Sequence, residues 1–346
     1  MKKQIFALFV ALLLIVIIFI GCLGDSTDKS QGKIIYVDIA GSKDFTNIQD
    51  AINNASNGDT IVVSEGIYNE YLFVNTSVNL KGSKYTIINP KNVALNENSL
   101  VYITANNCSI DGFTIFNTDF ETDIIGINIY SSGNVIKGNS IFKFKYGIYI
   151  KDNINGQVIT KNNISDNLIS NCTYGIYVYS DAENNIIFNN DLIDNNDGMY
   201  LYYFVNNSIL KNYVYSNTGY GIYIGSHSDG NMISRNVCKN NRYGIRFKGV
   251  SFNEIFLNRC ENNDIGLYSC CGSNDNILYY NSLVNNKKQA SDGFVNSWDN
   301  GIVGNYWDDY IVIYTNATQI DGFWSIPYDI LDGNNKDNFP LINPFI

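Results

Sequence analysis

The sequence predicts an all-β fold in which one short coil repeats and stacks into a parallel solenoid. Three patterns predict it: a glycine recurs roughly every 21 to 28 residues, apolar residues alternate after each glycine, and an Asn-x-Ile-x-x-Asn spacing follows. The recurring glycines are Gly126, Gly147, Gly175, Gly198, Gly221, Gly244, Gly266 and Gly293. Such repeats are typical of solenoids, because a single coil cannot bury its own inward residues and must stack on the next.

The first 32 residues are predicted to export the protein and tether it to a membrane. Residues 1–23 place Lys2 and Lys3 before an uncharged apolar stretch, which indicates a signal peptide or a membrane anchor. The end of this stretch resembles the lipobox of prokaryotic lipoproteins, in which Cys22 becomes the lipidated first residue after cleavage. Residues 24–32 are polar and contain Gly and Ser, as in flexible stalks. Cleavage and retention stay open, and both place the protein on the outer face of the cytoplasmic membrane.

Residues 45–55 are predicted to form an amphipathic helix that caps the first coil. They carry apolar residues at helical spacing after Thr46, a residue type favoured at the N-cap position. A strand pattern resumes at Thr60. A cap is expected here because the uncovered end of a stack of strands would pair with other molecules.

The coils themselves read as short strands separated by corners. The residues one and three positions after each glycine are apolar, as in Ile148 with Ile150 and Ile176 with Val178, and this period of two indicates strands. The chain has only four Pro, none of them within residues 91–326. Because Pro would remove a backbone hydrogen bond between coils, its absence favours continuous parallel sheets.

The recurring asparagines predict a ladder of stacked amides at one corner. In such a ladder each side-chain amide would pair with the amides above and below it. The asparagines assigned to the ladder are Asn139, Asn162, Asn190, Asn212, Asn236, Asn258, Asn281 and Asn305.

Two segments add a family resemblance. Residues 45–80 resemble the opening of pectin-lyase-like right-handed β-helices, and the asparagine coils followed by residues 300–310 resemble the periplasmic copper-binding (NosD-type) β-helix family. The resemblance covers roughly residues 33–342. It implies a single-stranded right-handed parallel β-helix over residues 33–310. A short irregular C-terminal tail, residues 311–346, would pack on or cap that β-helix.

The charge balance and the metal-ligating residues limit the possible functions. With 23 Lys+Arg, 33 Asp+Glu and a net charge of -10, the chain lacks the basic field that attracts nucleic acid. The family resemblance suggests copper, which binds clustered His, Met or Cys. The chain has one His, His227, and Met199 falls on an inward column. We therefore predict no cofactor and keep a copper-binding accessory protein as an alternative.

Two inward cysteines have alternative interpretations. Cys238 and Cys260 occupy equivalent inward positions of consecutive coils. Buried free thiols fit such positions, and a cross-coil disulfide also fits, because stacked Cα atoms about 4.8 Å apart lie within the range that a bridge spans.

A polysaccharide-active enzyme, a lyase, hydrolase or epimerase, is the first alternative function. Glu183 and Asp229 are expected at corresponding turn positions two coils apart, with Asn206 between them and His227 near Asp229. Acidic residues are common on solvated turns, so we predict no catalytic residue from this set.

An outward column of aromatic residues carries the main functional prediction. The residues two positions after the repeat glycines point away from the core and include Tyr149, Tyr177, Tyr200, Tyr223, Arg246 and Tyr268. Flat rings with hydroxyl tips suit sugars, although Tyr is also a good strand former whose stacked rings stabilise a sheet. We predict a tethered surface protein that binds a polysaccharide or another cell-envelope component through these residues.

Overall fold

The computed structural model describes residues 32–344, apart from residues 92–94, 96, 119–122 and 152–155. The predicted export segment, its lipidation site Cys22 and most of the stalk fall on residues 1–31 and lie outside the described residues. From Ile34 onward the chain winds into a parallel β-solenoid, which confirms the predicted fold class. No helix in the described part of the chain has the length and apolar character needed to cross a bilayer.

Each full coil contributes a strand to each of three parallel sheets, here called sheets A, B and C, and each sheet has 11 strands within the described residues. The coil of Tyr146–Lys151 contributes a second strand, Ile159–Thr160, to sheet C. Sheet A contains Ile34–Val37, Thr60–Val63, Asn79–Lys81, Ser109–Asp111, Val135–Lys137, Asn163–Ser165, Ile186–Phe188, Ser208–Leu210, Met232–Ser234, Glu254–Phe256 and Ile277–Tyr279. Sheet B contains Gly66–Tyr68, Thr86–Ile88, Thr114–Phe116, Ser140–Phe142, Leu168–Ser170, Asp191–Ile193, Tyr213–Tyr215, Val237–Lys239, Arg259–Glu261, Ser282–Val284 and Tyr306–Trp307. Sheet C contains Leu72–Val74, Ser99–Ile103, Ile125–Ile129, Tyr146–Lys151, Ile159–Thr160, Tyr174–Glu183, Asp197–Val205, Tyr220–Ile224, Tyr243–Lys248, Ile265–Cys270 and Lys288–Asp292.

Equivalent apolar residues of consecutive coils lie directly above one another and form the core. Ile148 of sheet C pairs with Ile127 of the preceding coil and with Ile176 of the next, and all three are fully buried. Sheet A has a matching column through Ile187 and Ile209. Full burial of one such side chain contributes about 1.5–3 kcal/mol, so the stacked columns are the main source of stability.

The repeat glycines allow consecutive coils to approach closely. A Cβ atom on Gly198 would lie 2.6 Å from the carbonyl oxygen of Gly221 and 2.5 Å from the side chain of Val214, so only glycine fits. Gly293 does not belong to this series, contrary to the sequence analysis. The residue in register with Gly266 is Gln289, because the flanking pairs are Ile265 with Lys288 and Leu267 with Ala290.

Asparagine ladders line all three corners, whereas the sequence analysis predicted one. The ladder at the corner that precedes the sheet A strands consists of Asn134, Asn162, Asn185, Asn207, Asn231, Asn253, Asn276 and Asn296. The ladder entering sheet B is Asn139, Asn167, Asn190, Asn212, Asn236, Asn258, Asn281 and Asn305. The ladder entering sheet C is Asn195, Asn217, Asn241, Asn263 and Asn286. Asn162 therefore belongs to a different corner from the one predicted, and Asn167 takes its place.

Each ladder amide satisfies buried backbone as well as its neighbours. The Asn190 backbone N–H and side-chain amide both donate to Oδ1 of Asn212, at 3.0 Å each. The same side chain also donates to the Ile164 carbonyl at 2.8 Å. Buried polar groups need hydrogen-bond partners. The asparagines supply these partners to the buried backbone groups at each corner, so the chain can change direction there without a helix.

A short helix, Ile48–Asn54, covers the first coils with Ile48, Ala51 and Ile52 buried. Its N-cap residue is Asn47 rather than Thr46, and it makes no side-chain capping bond. The Glu70 carboxylate accepts hydrogen bonds from the first two backbone N–H groups instead, at 3.0 and 2.9 Å. The cap is thus supplied by a residue distant in sequence, which local patterning does not reveal.

Residues after the last coil pack across its end. They form a helix, Tyr310–Ile313, and two antiparallel pairs, Gln319–Ile320 with Phe323–Trp324 and Tyr328–Asp329 with Lys336–Asp337. The ring of Tyr328 stacks on Trp307 with centroids 4.0 Å apart. The buried Asp337 carboxylate accepts from the Trp307 indole at 2.8 Å and from the Asn305 backbone at 2.6 Å. Burial raises the pKa of Asp337 to about 7.

Candidate functional site

The outward column of sheet C brings together all six residues predicted for the site. Parallel pairing places Tyr149, Tyr177, Tyr200, Tyr223, Arg246 and Tyr268 one above the other in consecutive coils. Phe73, Tyr102 and Asn128 continue the column toward the first coil. For Asn128 and the six predicted residues the register follows from the spacing of the repeat glycines, since each of them stands two positions after one, whereas Phe73 and Tyr102 follow no such glycine.

The sequence analysis missed a second column of rings beside the first. Tyr146, Tyr174, Tyr220 and Tyr243 stand immediately before repeat glycines, so a recurring Tyr-Gly-Ile was the available signal. Their rings lie among those of the first column: Tyr146 is 4.8 Å from Tyr177, and Tyr220 is 4.9 Å from Tyr223 between centroids. The buried Asp197 takes the equivalent position in the coil after Tyr174. A third column adds Tyr179 and Tyr202.

We call the combined surface the tyrosine face. It consists of Tyr146, Tyr149, Tyr174, Tyr177, Tyr179, Tyr200, Tyr202, Tyr220, Tyr223, Tyr243, Tyr268 and Arg246. Most of its side chains are half-buried, whereas Tyr223 is only 2% exposed. Tyr223 therefore packs against the neighbouring rings and has little exposed area with which to contact a ligand.

The Tyr200 ring presents its edge to solvent instead of its flat faces. Tyr200 stacks on Tyr177 at 5.6 Å and on Tyr223 at 4.4 Å, with interplanar angles of 11° and 13°. Both faces of the Tyr200 ring are thus occupied by other rings. At Tyr200 the flat ring face expected from the sequence to bind a sugar is covered by neighbouring rings.

The tyrosine hydroxyls are protonated at neutral pH and can both donate and accept hydrogen bonds. Burial, assisted by neighbouring hydroxyls, raises the pKa of Tyr177, Tyr200 and Tyr223 above the ordinary value. The hydroxyls of Tyr202 and Tyr223 lie 3.0 Å apart and share one hydrogen bond. A surface of this kind can exchange hydrogen bonds with a polyhydroxylated ligand.

Arg246 stands inside a cage of rings at one end of the tyrosine face. Its guanidinium carbon lies 5.2 to 5.7 Å from four ring centroids, those of Tyr220, Tyr223, Tyr243 and Tyr268. One terminal nitrogen donates to the Tyr220 hydroxyl at 2.5 Å and the other to Sγ of Cys270 at 3.5 Å. These contacts fix the guanidinium in the surface of the sheet.

The six cysteines among the described residues are free thiols. Cys238 and Cys260 pair in consecutive strands of sheet B, and both are fully buried. Burial raises the pKa of Cys238 well above the ordinary value, so this thiol is unreactive at neutral pH. Cys270 and Cys271 lie with their sulfur atoms 3.2 Å apart at the edge of the tyrosine face.

The register of Glu183 differs from the one expected from the sequence, and the Asp229 carboxylate has a hydrogen-bond partner. Glu183 pairs in sheet C with Val205 instead of Asn206. The Asp229 carboxylate accepts a hydrogen bond from the Ser251 backbone at 2.6 Å.

The residues present do not fit a copper site. No group of three or more His, Cys, Asp or Glu side chains in the described part of the chain could hold a metal ion. Met199 is fully buried in the core, and the single His, His227, stacks on Tyr203 with centroids 5.1 Å apart. Copper requires clustered soft or imidazole ligands, and neither residue belongs to such a cluster.

A curated relative aligns with most of the chain. The cell surface glycoprotein of Methanothermus fervidus is 31% identical over 341 residues, which covers 86% of this chain and 55% of the relative. The chain thus spans about half the length of the curated relative that it matches.

Solved structures share the fold at low sequence identity. XylC in complex with xylose matches with a TM-score of 0.58 and 11% identity, over 76% of this chain and 69% of that chain. The A-module of mannuronan C-5 epimerase AlgE4 from Azotobacter vinelandii matches with a TM-score of 0.56 and 13% identity, over 75% and 84%. Pectate lyase Pel9A matches with a TM-score of 0.56 and 15% identity, over 79% and 81%. At these identities the likeness is one of fold alone.

The family comparison agrees with the coil pattern, the amide ladders and the parallel register. The model of the family described as periplasmic copper-binding protein (NosD) matches residues 27–197 and 160–311, which together span most of the chain. The chain therefore belongs to the NosD family of right-handed β-helix proteins.

Proposed function

We propose that this protein is an exported surface β-helix protein that binds polysaccharide through the tyrosine face. The observation that carries the proposal is the interleaving of adjacent tyrosine columns along one sheet, which places tyrosines at equivalent positions of several consecutive coils. Because consecutive coils are about 4.8 Å apart, the face offers a regular series of equivalent contacts. A repeating polymer is the ligand that matches a repeating surface.

The contacts would be made mainly by hydroxyls and ring edges. Protonated tyrosine hydroxyls can donate to and accept from sugar hydroxyls, while the ring edges pack against the C–H groups of the sugar. Tyr177 and Tyr200 lie in the middle of the face and are half-buried, so both combine a fixed position with an exposed edge. Little conformational entropy would be lost when they bind.

The names of similar proteins support a surface location and a sugar ligand. The curated relative is a cell surface glycoprotein, and the family is described as periplasmic. The fold neighbours include a xylose complex, an alginate-type epimerase and a pectate lyase. Within this proposal residues 1–23 serve as the export signal or anchor, with Cys22 the lipidated residue if the signal is cleaved, and residues 24–32 as the stalk.

A glycan array tests the proposal with three variants. Tyr177→Ala and Tyr200→Ala are expected to lower retention on the bound glycans at least about tenfold, which corresponds to 1.4 kcal/mol. Tyr213→Ala is the matched control, because Tyr213 is 38% exposed on sheet B and stacks on Tyr215 in the same way. Equal retention of wild type, Tyr177→Ala and Tyr200→Ala, or no retention of wild type, would overturn the proposal.

A further inference from the structure

Three cations on one coil of sheet C have no acidic partner. Arg242 precedes the strand Tyr243–Lys248, and Arg246 and Lys248 lie on it. Among the described residues none of the three takes part in an ion pair. The neighbouring coils differ, since Lys287 pairs with Asp264 at 2.6 Å and Arg259 pairs with Glu261 at 2.8 Å. Other described cations, among them Lys211 and Arg235, also lack an ion pair, and Arg242 and Arg246 are distinguished by their contact with the same ring, that of Tyr243.

The surroundings of Arg246 hold its charge in place without neutralising it. Its hydrogen-bond acceptors, a tyrosine hydroxyl and a thiol, are uncharged groups, and its buried Nε has no hydrogen-bond partner. The four rings of the cage attract the cation through their quadrupoles, but they carry no net charge. A partly desolvated guanidinium that lacks a counter-ion gains from the arrival of an anion, and its planar shape favours a carboxylate or sulfate.

Arg242 extends the cationic area from the tyrosine face to the adjoining corner. Its guanidinium carbon lies 5.4 Å from the Tyr243 ring centroid, the same distance as that of Arg246. The two guanidinium groups are therefore no more than about twice this distance apart. Arg242 also lines an open depression at the corner between sheets B and C, together with Asn240 and with Asp264, whose carboxylate pairs with Lys287. A chain lying over Tyr243 could reach both arginines.

We propose that the polysaccharide bound by the tyrosine face is anionic, with one acidic substituent paired with Arg246 and a second in reach of Arg242. This inference rests on the function proposed above and specifies its ligand class. The acidic group is a carboxylate or a sulfate ester, since both present oxygens that pair with a guanidinium. A nucleic acid is disfavoured because the acidic protein as a whole would repel a dense polyphosphate.

The test uses an array that carries neutral glycans beside their uronate-bearing and sulfated counterparts. Wild-type protein is expected to retain acidic members at least tenfold more than the neutral ones, and this preference should fall as salt rises from about 50 to 300 mM. The uronate and sulfate spots show which anion is recognised.

Arginine variants connect that preference to the proposed site. Arg246→Gln and Arg242→Gln are expected to lose the preference while retaining the neutral glycans. Arg242 is exposed, so its variant should fold even if replacement of Arg246 disturbs the ring cage. Arg235→Gln is the matched control, because Arg235 is exposed at the corner after a sheet A strand. Its preference should equal that of wild type.

Three results would overturn the inference. They are equal retention of neutral and acidic glycans by wild type, a preference that survives in both Arg246→Gln and Arg242→Gln, and a preference lost equally in Arg235→Gln. In these cases the proposed function still stands if Tyr200→Ala lowers retention and Tyr213→Ala does not. If wild type retains no glycan, both proposals fail.

Discussion

At the scale of single residues, the ladder asparagines are structural. Asn212 donates to the Ile187 carbonyl and to Oδ1 of Asn236, both at 2.9 Å, and it accepts from Asn190. Its role is therefore to satisfy buried polar groups of three coils at once. The abundance of asparagine in the chain follows from corners of this kind and carries no information about a ligand.

We expect Asn212→Ala to destabilise the protein by about 2 kcal/mol, because it leaves buried donors and acceptors without partners. Denaturant unfolding followed by circular dichroism measures the change. Asn316→Ala is the control, since Asn316 is exposed in the tail and outside every ladder. A loss of the same size in both variants would contradict the structural role of the ladder.

Asp337 predicts a pH dependence of stability near neutrality. Its pKa is about 7 in the folded protein against 3.8 ordinarily, so between these values the folded state binds more protons than the unfolded state. Stability from this group is therefore greatest at low pH and falls as the pH rises from about 4 to 7. The carboxyls of Asp329 and Asp332 have lowered pKa values and act in the opposite direction, but only below about pH 4.

Thermal unfolding at pH 5 and pH 8 measures this effect. Wild type is expected to lose stability between these two values, and Asp337→Asn should show a smaller loss because position 337 no longer titrates. The same loss in the variant and in wild type would show that Asp337 is not responsible.

At the scale of the coil, the repeat glycines set how closely neighbouring strands approach. Gly198→Ala is expected to cost about 2–3 kcal/mol, because its Cβ would meet the Gly221 carbonyl at 2.6 Å. Gly293→Ala should cost less than about 1 kcal/mol, since Gly293 is exposed and its nearest contact would be 3.2 Å away. Denaturant midpoints of the two variants give the comparison, and equal midpoints would contradict it.

The sequence predicted the coil far better than the details of its surface. Alternation after the glycines identified the buried columns because core positions depend on residue type and spacing alone. Gly293 was misplaced because the structural equivalent, Gln289, breaks the glycine pattern. Asn162 was assigned to the wrong corner because each coil contains more than one asparagine and spacing cannot tell the corners apart.

The site could be located from the sequence, but its surface chemistry could not. The outward position of Tyr200 follows from strand alternation, whereas the orientation of its ring depends on the side-chain torsions of Tyr177 and Tyr223. Those torsions place the Tyr200 ring against its two neighbours along the solenoid. The Arg246 cage likewise depends on rings from three coils and has no local sequence signal.

At the scale of the whole molecule, the β-helix is a rigid support for one repeated surface. Three continuous sheets and three amide ladders hold the coils in register, so a side chain two positions after each glycine recurs along a straight column. Family membership establishes this architecture. It does not bring the copper ligands that the family description suggests, because the described residues contain no group of three or more converging His, Cys, Asp or Glu side chains.

We expect purified protein that has been incubated with copper and desalted to retain well under one equivalent of the metal. The physical reason is that His227 and Met199 have separate partners and do not converge. Elemental analysis by mass spectrometry measures the content. A stoichiometric, chelator-resistant copper ion would contradict this expectation.

The central claim is that a polysaccharide lies on the tyrosine face, and hydroxyl-radical footprinting with a retained glycan tests it most directly. Mass spectrometry of the oxidised side chains compares the free and the bound protein. The account predicts that the glycan protects Tyr177 and Tyr200 on sheet C and leaves Tyr213 on sheet B unprotected. Unchanged oxidation of Tyr177 and Tyr200, or protection centred on Tyr213, would contradict it.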